Sequence, residues 1–165
     1  MPTATYIALA NLTLTGTDAE VSFASIPATY RDLVVIANWP NSGIPATPFV
    51  LLRLNGDSGN NYTWVQMYGD NGGALSDASS GSVSSIRVGY LQNGAAMTRI
   101  DVMDYSATDK HKTVLDRSEQ MEGTTRTSAF AGRWASTANI PCFKHGSQRA
   151  GLGSRFLGTG LRGSG

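Results

Sequence analysis

A single cysteine, Cys142, excludes an intrachain disulfide and an all-cysteine zinc site, so stability has to come from burial and assembly. Charge is sparse as well. Asp, Glu, Lys and Arg make up 15% of the chain and nearly cancel at +1, which argues against whole-surface binding of nucleic acid or of an anionic membrane. No apolar run approaches the roughly 18 residues of a membrane-spanning helix. The opening stretch MPTATYIALANLTLTG has neither a positively charged leader nor an uninterrupted apolar core, so no signal peptide is expected and synthesis in a cytoplasm is. Internal repeats and coiled-coil heptads are lacking, which excludes a fibre shaft built from this sequence alone.

What is present points to one fold class. Of the 165 residues, 41% are hydrophobic, which excludes a disordered chain, and 19 are glycine, which disfavours a helical one. Short apolar runs separated by Thr, Ser, Asn and Gly predict a single all-β domain over residues 1–165. The expected architecture is an antiparallel β-sandwich, jelly-roll-like in its connections, with roughly ten short strands.

The chain is organised around Ile26–Trp64. Two dense apolar runs, Leu33–Ala37 and Phe49–Leu54, are expected as strands buried on both faces. Before them, Tyr6–Thr15 and Glu20–Ser25 alternate, the latter with Val21 and Phe23 inward. Pro27 then breaks the pattern, and the adjacent Arg31 and Asp32 are expected to anchor a corner. Between the two runs, Trp39–Pro48 forms a loop with three prolines, the kind of surface excursion that carries specificity. After them, Asn55-Gly56-Asp57-Ser58-Gly59 is the strongest turn signal in the chain.

Further on, Tyr62, Trp64, Gln66 and Tyr68 share one strand face. Gly69–Ser85 is expected as a long polar loop, either mobile or ordered only against a neighbour. Strands follow at Ile86–Tyr90, at Thr98–Tyr105 with Ile100 and Val102 inward, at His111–Leu115 and at Thr127–Trp134. The chain closes on a basic, Gly-rich segment, 144–165, in which Lys144, Arg149, Arg155 and Arg162 meet no acid. It is either a docking arm for an acidic partner or a solvated tail or last strand.

Chemistry-bearing constellations are weak. Gly56-Asp57-Ser58-Gly59 spells the surroundings of a serine nucleophile, but both histidines, His111 and His145, come after it, and a hairpin turn explains the tetrapeptide. Asp101 and Asp104 stand an odd number of residues apart on one strand, so they do not converge with His111 on a metal. The Asp57, Asn60 and Asn61 loop holds one carboxylate, too few for a calcium loop. No glycine-rich stretch is followed by Gly-Lys-Ser/Thr. Trp39, Tyr62, Trp64 and Tyr68 could stack on sugar rings if exposed. Tyr62 and Trp64 are expected to fill the core, while Trp39 in its proline loop is open to either role.

One stretch carries a resemblance. The pattern F-x-x-I-P-x-x-Y-R-D-L in Phe23–Leu33, with L-R-L-N-G-D-S-G-x-N-Y-x-W in Leu52–Trp64, resembles small structural proteins of phages of cyanobacteria and other aquatic bacteria, described as tail-fibre-like, minor structural or capsid-decorating. Gly153–Leu161 is similar to their closing segment G-S-x-F-x-L-Y-G but lacks its tyrosine.

The resemblance implies a virion surface protein without enzymatic activity, cofactor or metal. The leading expectation is a capsid decoration (cement) protein, a homo-oligomer with a trimer favoured, stabilising the shell by contacts between neighbouring subunits. The alternative is a tail-fibre or receptor-binding component recognising a host surface glycan. Partners would be the major capsid protein or tail proteins, not nucleic acid or membrane. The expected interaction surface comprises Trp39, Pro40 and Pro45 of the proline loop, Asp57 and Asn60 of the turn, and Lys144, Arg149, Arg155 and Arg162 of the basic segment.

Overall fold

The computed structural model describes residues 6–13, 20–39, 49–90, 96–120, 126–147 and 161–162, with the backbone alone at 39, 147, 161 and 162. Within these, twelve strands run in chain order: β1 (Tyr6–Ile7), β2 (Glu20–Phe23), β3 (Asp32–Trp39), β4 (Phe49–Leu54), β5 (Tyr62–Asp70), β6 (Gly73–Ala78), β7 (Ile86–Tyr90), β8 (Ala96–Met103), β9 (Lys112–Gln120), β10 (Arg126–Trp134), β11 (Phe143–Ser147) and β12 (Leu161–Arg162). They form two antiparallel sheets, an eight-stranded one ordered β1-β12-β3-β8-β9-β10-β5-β6 and a four-stranded one ordered β2-β11-β4-β7. The chain crosses between sheets at every connection except the β5–β6 hairpin and the β8–β9–β10 meander. This is the expected β-sandwich.

The core lies between the sheets. Leu33, Val35, Ala37, Ile100, Val102, Val114, Phe130 and Trp134 of the large sheet meet Val50, Leu52, Leu54, Ile86, Val88 and Phe143 of the small one. Period-2 alternation decides which residues enter it. Tyr62, Trp64 and Gln66 of β5 are buried, while Val65 and Met67 on the opposite face are exposed. Val21 is buried and Phe23 packs partly against the core, as the alternation in β2 implies.

Four expectations need correction. Gly69–Ser85 is not one long loop, because β6 pairs with β5 from Asp70↔Gly73 to Val65↔Ala78 without a register shift. The hairpin is closed at Asp70, whose Oδ1 accepts the Gly72 N–H at 2.8 Å, and at Gly73, whose φ of 118° only glycine adopts freely. Every residue of β6 is exposed, so no buried face existed to imprint an apolar alternation. Second, of the strand expected over Tyr6–Thr15 only Tyr6–Ile7 is paired, with Arg162 and Leu161, and residues 8–13 form no ladder; residues 14 and 15 lie outside the described residues. Third, β3 is nearly buried on both faces, but β4 alternates strictly, since the small sheet covers the core on one side and meets solvent on the other. Fourth, β9 extends well past Leu115 to Gln120, carried by buried residues that are polar.

One glycine sets the distance between the sheets. A Cβ at Gly132 of β10 would stand 2.6 Å from Cγ2 and 2.9 Å from Cδ1 of Ile86, a fully buried residue of β7. Gly132→Ala is expected to cost about 1–3 kcal/mol by overpacking. Ile86→Ala in the same chain is expected to offset part of that loss, so the double variant is less destabilised than the sum of the singles by at least about 0.5 kcal/mol in a denaturant titration.

Candidate functional site

The resembling stretch builds joints. The Arg31 guanidinium grips Asp32 Oδ2 through Nε and Nη2, at 3.0 and 2.8 Å, and Asp32 Oδ1 accepts the Asp104 N–H at 3.0 Å. Tyr30 O accepts the Ser106 hydroxyl and Arg31 O the Tyr105 N–H. The Y-R-D-L sequence thus ties the start of β3 to the turn after β8, the corner role expected of the charge pair.

In the second half of the stretch, Asn55 (φ 55°) and Gly56 (φ 67°) supply the two left-handed positions of the β4–β5 turn. Asp57 then accepts three hydrogen bonds, from Trp134 Nε1 (2.7 Å), Asn61 Nδ2 (2.9 Å) and Gly59 N (2.8 Å). These donors, the indole first, hold its carboxyl below the usual range. Tyr62 accepts the Leu54 N–H (3.1 Å) and donates to the Asp57 carbonyl (3.0 Å), with its ring stacked on Trp134. Burial pushes its phenol up to about 12.

The expected interaction residues therefore divide. Asp57 is committed to the turn, and Asn60 stands exposed beside it. Lys144 lies on β11, an interior strand of the small sheet; its Nζ donates to Glu20 Oε1 at 2.8 Å, a pairing that raises its pKa. Its stem passes within 3.7 Å of where a Cβ on Gly56 would be, so the structure brings Lys144 to the Asp57 turn. Arg162 pairs with Asp32 in backbone register on β12, so the basic segment supplies strands to both sheets. The backbone of Trp39 ends β3, and its side chain lies outside the described residues, as do Pro40, Pro45, Arg149 and Arg155. Tyr62 and Trp64 fill the core as expected.

Catalytic groupings do not converge. Asp101 is engaged by Arg99 and Asp104 by Lys110. His145 is buried in β11 and His111 is exposed ahead of β9. Among the described residues no group of three or more His, Cys, Asp or Glu could hold a metal ion.

Three features escaped the sequence reading. The first is a polar band on the inner face of the large sheet. Thr98, Ser118, Ser128 and Tyr68 lie side by side across β8, β9, β10 and β5, and Ile100, Asp116, Phe130 and Gln66 form the next row. Asp116 is 2% exposed and burial holds its carboxyl well above the usual range; the nearby Gly89 N–H and Ser118 hydroxyl only partly oppose this, and neither makes a well-formed hydrogen bond to it. The alternation K-T-V-L-D-R-S-E-Q in β9 marks this face by position, but hydrophobicity does not.

The second feature is a pair of stacked arginines on the flank where the small sheet ends. Arg87 lies 3.9 Å from the Phe49 ring and 4.4 Å from the Trp64 ring, and Arg126 lies 4.0 Å from Tyr68 and 4.3 Å from Tyr90. Asp77 and Asp70 hold their outer ends.

The third is the outer face of the large sheet. Leu115, Ala131, Val65 and Ala78 form one row across β9, β10, β5 and β6, and Arg117, Ala129, Met67 and Ser76 form the next. Val65, Met67 and Leu115 are 47%, 66% and 43% exposed, and Met97 and Met103 of β8 are exposed on the same face. Arg117 and Arg133 flank the apolar rows with no ion pair among the described residues. An open hollow of about 810 Å³ at the β5–β6 end is lined by Met67, Leu75, Ser76, Arg117 and Ala129 among others.

No family model matches the chain, and no curated protein matches it. Among solved structures, the marine PL-14 alginate lyase from Aplysia kurodai is similar at 12% identity and a TM-score of 0.30, over 83% of this chain and 72% of that one. The Ruminococcus gnavus IT-sialidase CBM40 bound to alpha2,3 sialyllactose is similar at 10% identity and a TM-score of 0.31, over 94% and 88%. An alginate lyase, Aly36B, in complex with alginate trisaccharide gives 6% identity and a TM-score of 0.33, over 92% and 81%. At TM-scores this low the likenesses carry no argument about activity or ligand.

Proposed function

We propose that the chain is a non-enzymatic structural component of a phage particle, placed on the capsid surface as a decoration protein that bridges neighbouring subunits. The observation that carries the reading is the outer face of the large sheet. A sandwich that works alone turns polar side chains outward, whereas here Val65, Met67 and Leu115 form a contiguous apolar surface with Ala129 and Ala131 at its centre. The margin carries both signs, Arg117 and Arg133 together with Glu119 and the Arg99–Asp101 pair, which suits a partner that is apolar in the middle and polar at the rim. The resemblance over Phe23–Leu33 and Leu52–Trp64 supports the virion setting. The glycan-binding alternative loses two of its aromatic rings to the core, since Tyr62 and Trp64 are 0% and 8% exposed.

The test is the copy number of the chain on purified particles, with heads separated from tails and the chain quantified against the major capsid protein. Copies by the hundred on heads are expected. A few on tails would move the protein to the fibre reading, and absence from particles would end both. In the same assay Met67→Glu with Leu115→Glu is expected to leave the isolated domain's unfolding transition in place and to lower occupancy on particles at least about tenfold, a loss of roughly 1.4 kcal/mol in binding. Occupancy equal to that of the native chain would show that this face is not the contact.

A further inference from the structure

The four sheet edges are not alike. Among the described residues β1 is two residues long, β2 is four residues long with Glu20 held by Lys144, and β7 is distorted by a register shift opposite Phe49 and Leu51 with Gly89 at a φ of 83°. Such shortness, charge and irregularity are the means by which edges avoid pairing with other chains. β6 is less guarded: its one charge, Asp77, is held by Arg87, and its glycine of positive φ, Gly73, sits at the hairpin end, clear of the run Ala74–Ala78. Its six residues, GALSDA, contain no lysine or proline, and they pair with β5 in unbroken register.

Which backbone groups of β6 face outward follows from the ladder. Ser79 N donates to Trp64 O, and Tyr62 exchanges both backbone bonds with Val83, so the even residues of β5 direct their N–H and C=O groups towards β6. Through the register, Gly73, Leu75 and Asp77 point their backbone at β5, while Ala74, Ser76 and Ala78 point theirs away. The Ala78 N–H is already taken by Asp77 Oδ1 at 2.8 Å, and Asp77 is in turn held by Arg87. Ala74 and Ser76 are left as a pair of adjacent outward residues with Leu75, 52% exposed, between them.

We infer that β6 is a self-pairing edge, and that two copies of the chain join antiparallel across it with Leu75 opposite Leu75 of the second copy. In this register Ala74 of each copy exchanges both backbone hydrogen bonds with Ser76 of the other. The two Leu75 side chains meet at a non-hydrogen-bonded position, where cross-strand neighbours stand closest. Asp77 falls opposite Gly73, so no like charges face each other. The capped Ala78 N–H is not required, and the two large sheets become one continuous sheet whose exposed rows run on from Met67 through Ser76 into the second copy. The second copy is one of the neighbours that the assembly reading requires, and the pairing rests on that reading for its purpose alone.

The experiment uses the purified full chain in sedimentation equilibrium, away from any particle, so its outcome is separate from where the protein sits. The native chain is expected to dimerise. Ser76→Pro removes an N–H that faces outward and leaves the β5 ladder whole, so it is expected to weaken dimerisation at least tenfold while the folded circular dichroism spectrum persists. As a second readout independent of that fold, Leu75→Cys in a Cys142→Ser background is expected to form an intermolecular disulfide on mild oxidation, while Asp77→Cys is not. A native chain that stays monomeric at about 1 mM, a dimer or trimer indifferent to Ser76→Pro, or equal crosslinking at both cysteine positions would overturn the pairing.

Discussion

Above pH 3.8, wherever the buried Asp116 still holds its proton and the unfolded His145 is still charged, the folding stability of the native chain is expected to stay nearly level, and two single substitutions are expected to tilt it in opposite directions. His145 is 1% exposed, and burial pushes its imidazole from 6.5 down to about 3. In that window the unfolded chain takes a proton that the folded chain refuses, so this residue makes stability fall as pH falls, by about 1.4 kcal/mol per pH unit. Asp116 has the opposite sign. Its unfolded carboxyl ionises above 3.8 while the buried one keeps its proton, so it makes stability fall as pH rises. Over the shared window each state holds one proton on this pair, and the two slopes offset.

Asp116→Asn should therefore expose the histidine slope, with stability rising by about 1.4 kcal/mol per pH unit from acid towards neutrality, and His145→Phe should expose the falling slope of the aspartate. Asp57 and Asp70, whose carboxyls are held low by hydrogen bonds, lose their contributions as pH falls below 3.8 and do not enter this window. Urea midpoints for the three chains at several pH values decide the matter. If the variants' profiles run parallel to the native one, the buried groups do not titrate as their surroundings dictate.

Replacing Lys112 is expected to cost about 3 kcal/mol or more. The side chain is 0% exposed, and its ammonium donates to the carbonyl oxygens of Ala107, Lys110 (3.1 Å) and Thr137 (3.4 Å). It thereby fastens the turn after β8 to the segment after β10. Burial lowers its pKa while Asp109 and Asp104 oppose the shift, so the charge is held by carbonyls and nearby carboxylates and not by one ion pair. Lys112→Met keeps most of the stem and strips the donors from the carbonyls, and Lys112→Ala adds a cavity. For a chain of this size a loss of about 3 kcal/mol lowers the melting temperature by roughly 6–12 °C. Amide exchange at Ala107–Lys110 should quicken before the global transition. A methionine variant within about 0.5 kcal/mol of the native chain would mean that solvent satisfies the carbonyls once the ammonium is gone.

The legible part of the fold was the part governed by neighbours in sequence. Asn55-Gly56 announced a turn because both residues tolerate positive φ, and the structure places both there. Arg31-Asp32 announced a corner because adjacent opposite charges can close on each other, and they do. Tyr62 and Trp64 announced an inward face because every second residue of a strand points the same way. The same logic misled at β6, which has no buried face, and at Asp116, Ser118 and Gln120, where alternation places a side chain inward whatever its polarity.

By itself, then, the sequence determined an all-β sandwich, most of its strand positions and the chemistry of its tightest turn, since period-2 burial and backbone preference act within a few residues. The packing of strands on one another settles the rest: β6 lies at the edge, Trp134 closes on Asp57, Lys112 holds three carbonyls, and a polar band lies beneath β7. Trp134 and Asp57, like Lys112 and Thr137, stand far apart in the chain, and the edge position of β6, although its pairing with β5 is local, depends as they do on which strands become neighbours. The outward apolar face belongs to the same class. Val65, Met67 and Leu115 are ordinary residues on their own strands, and they form a surface only where β5 and β9 are brought to either side of β10.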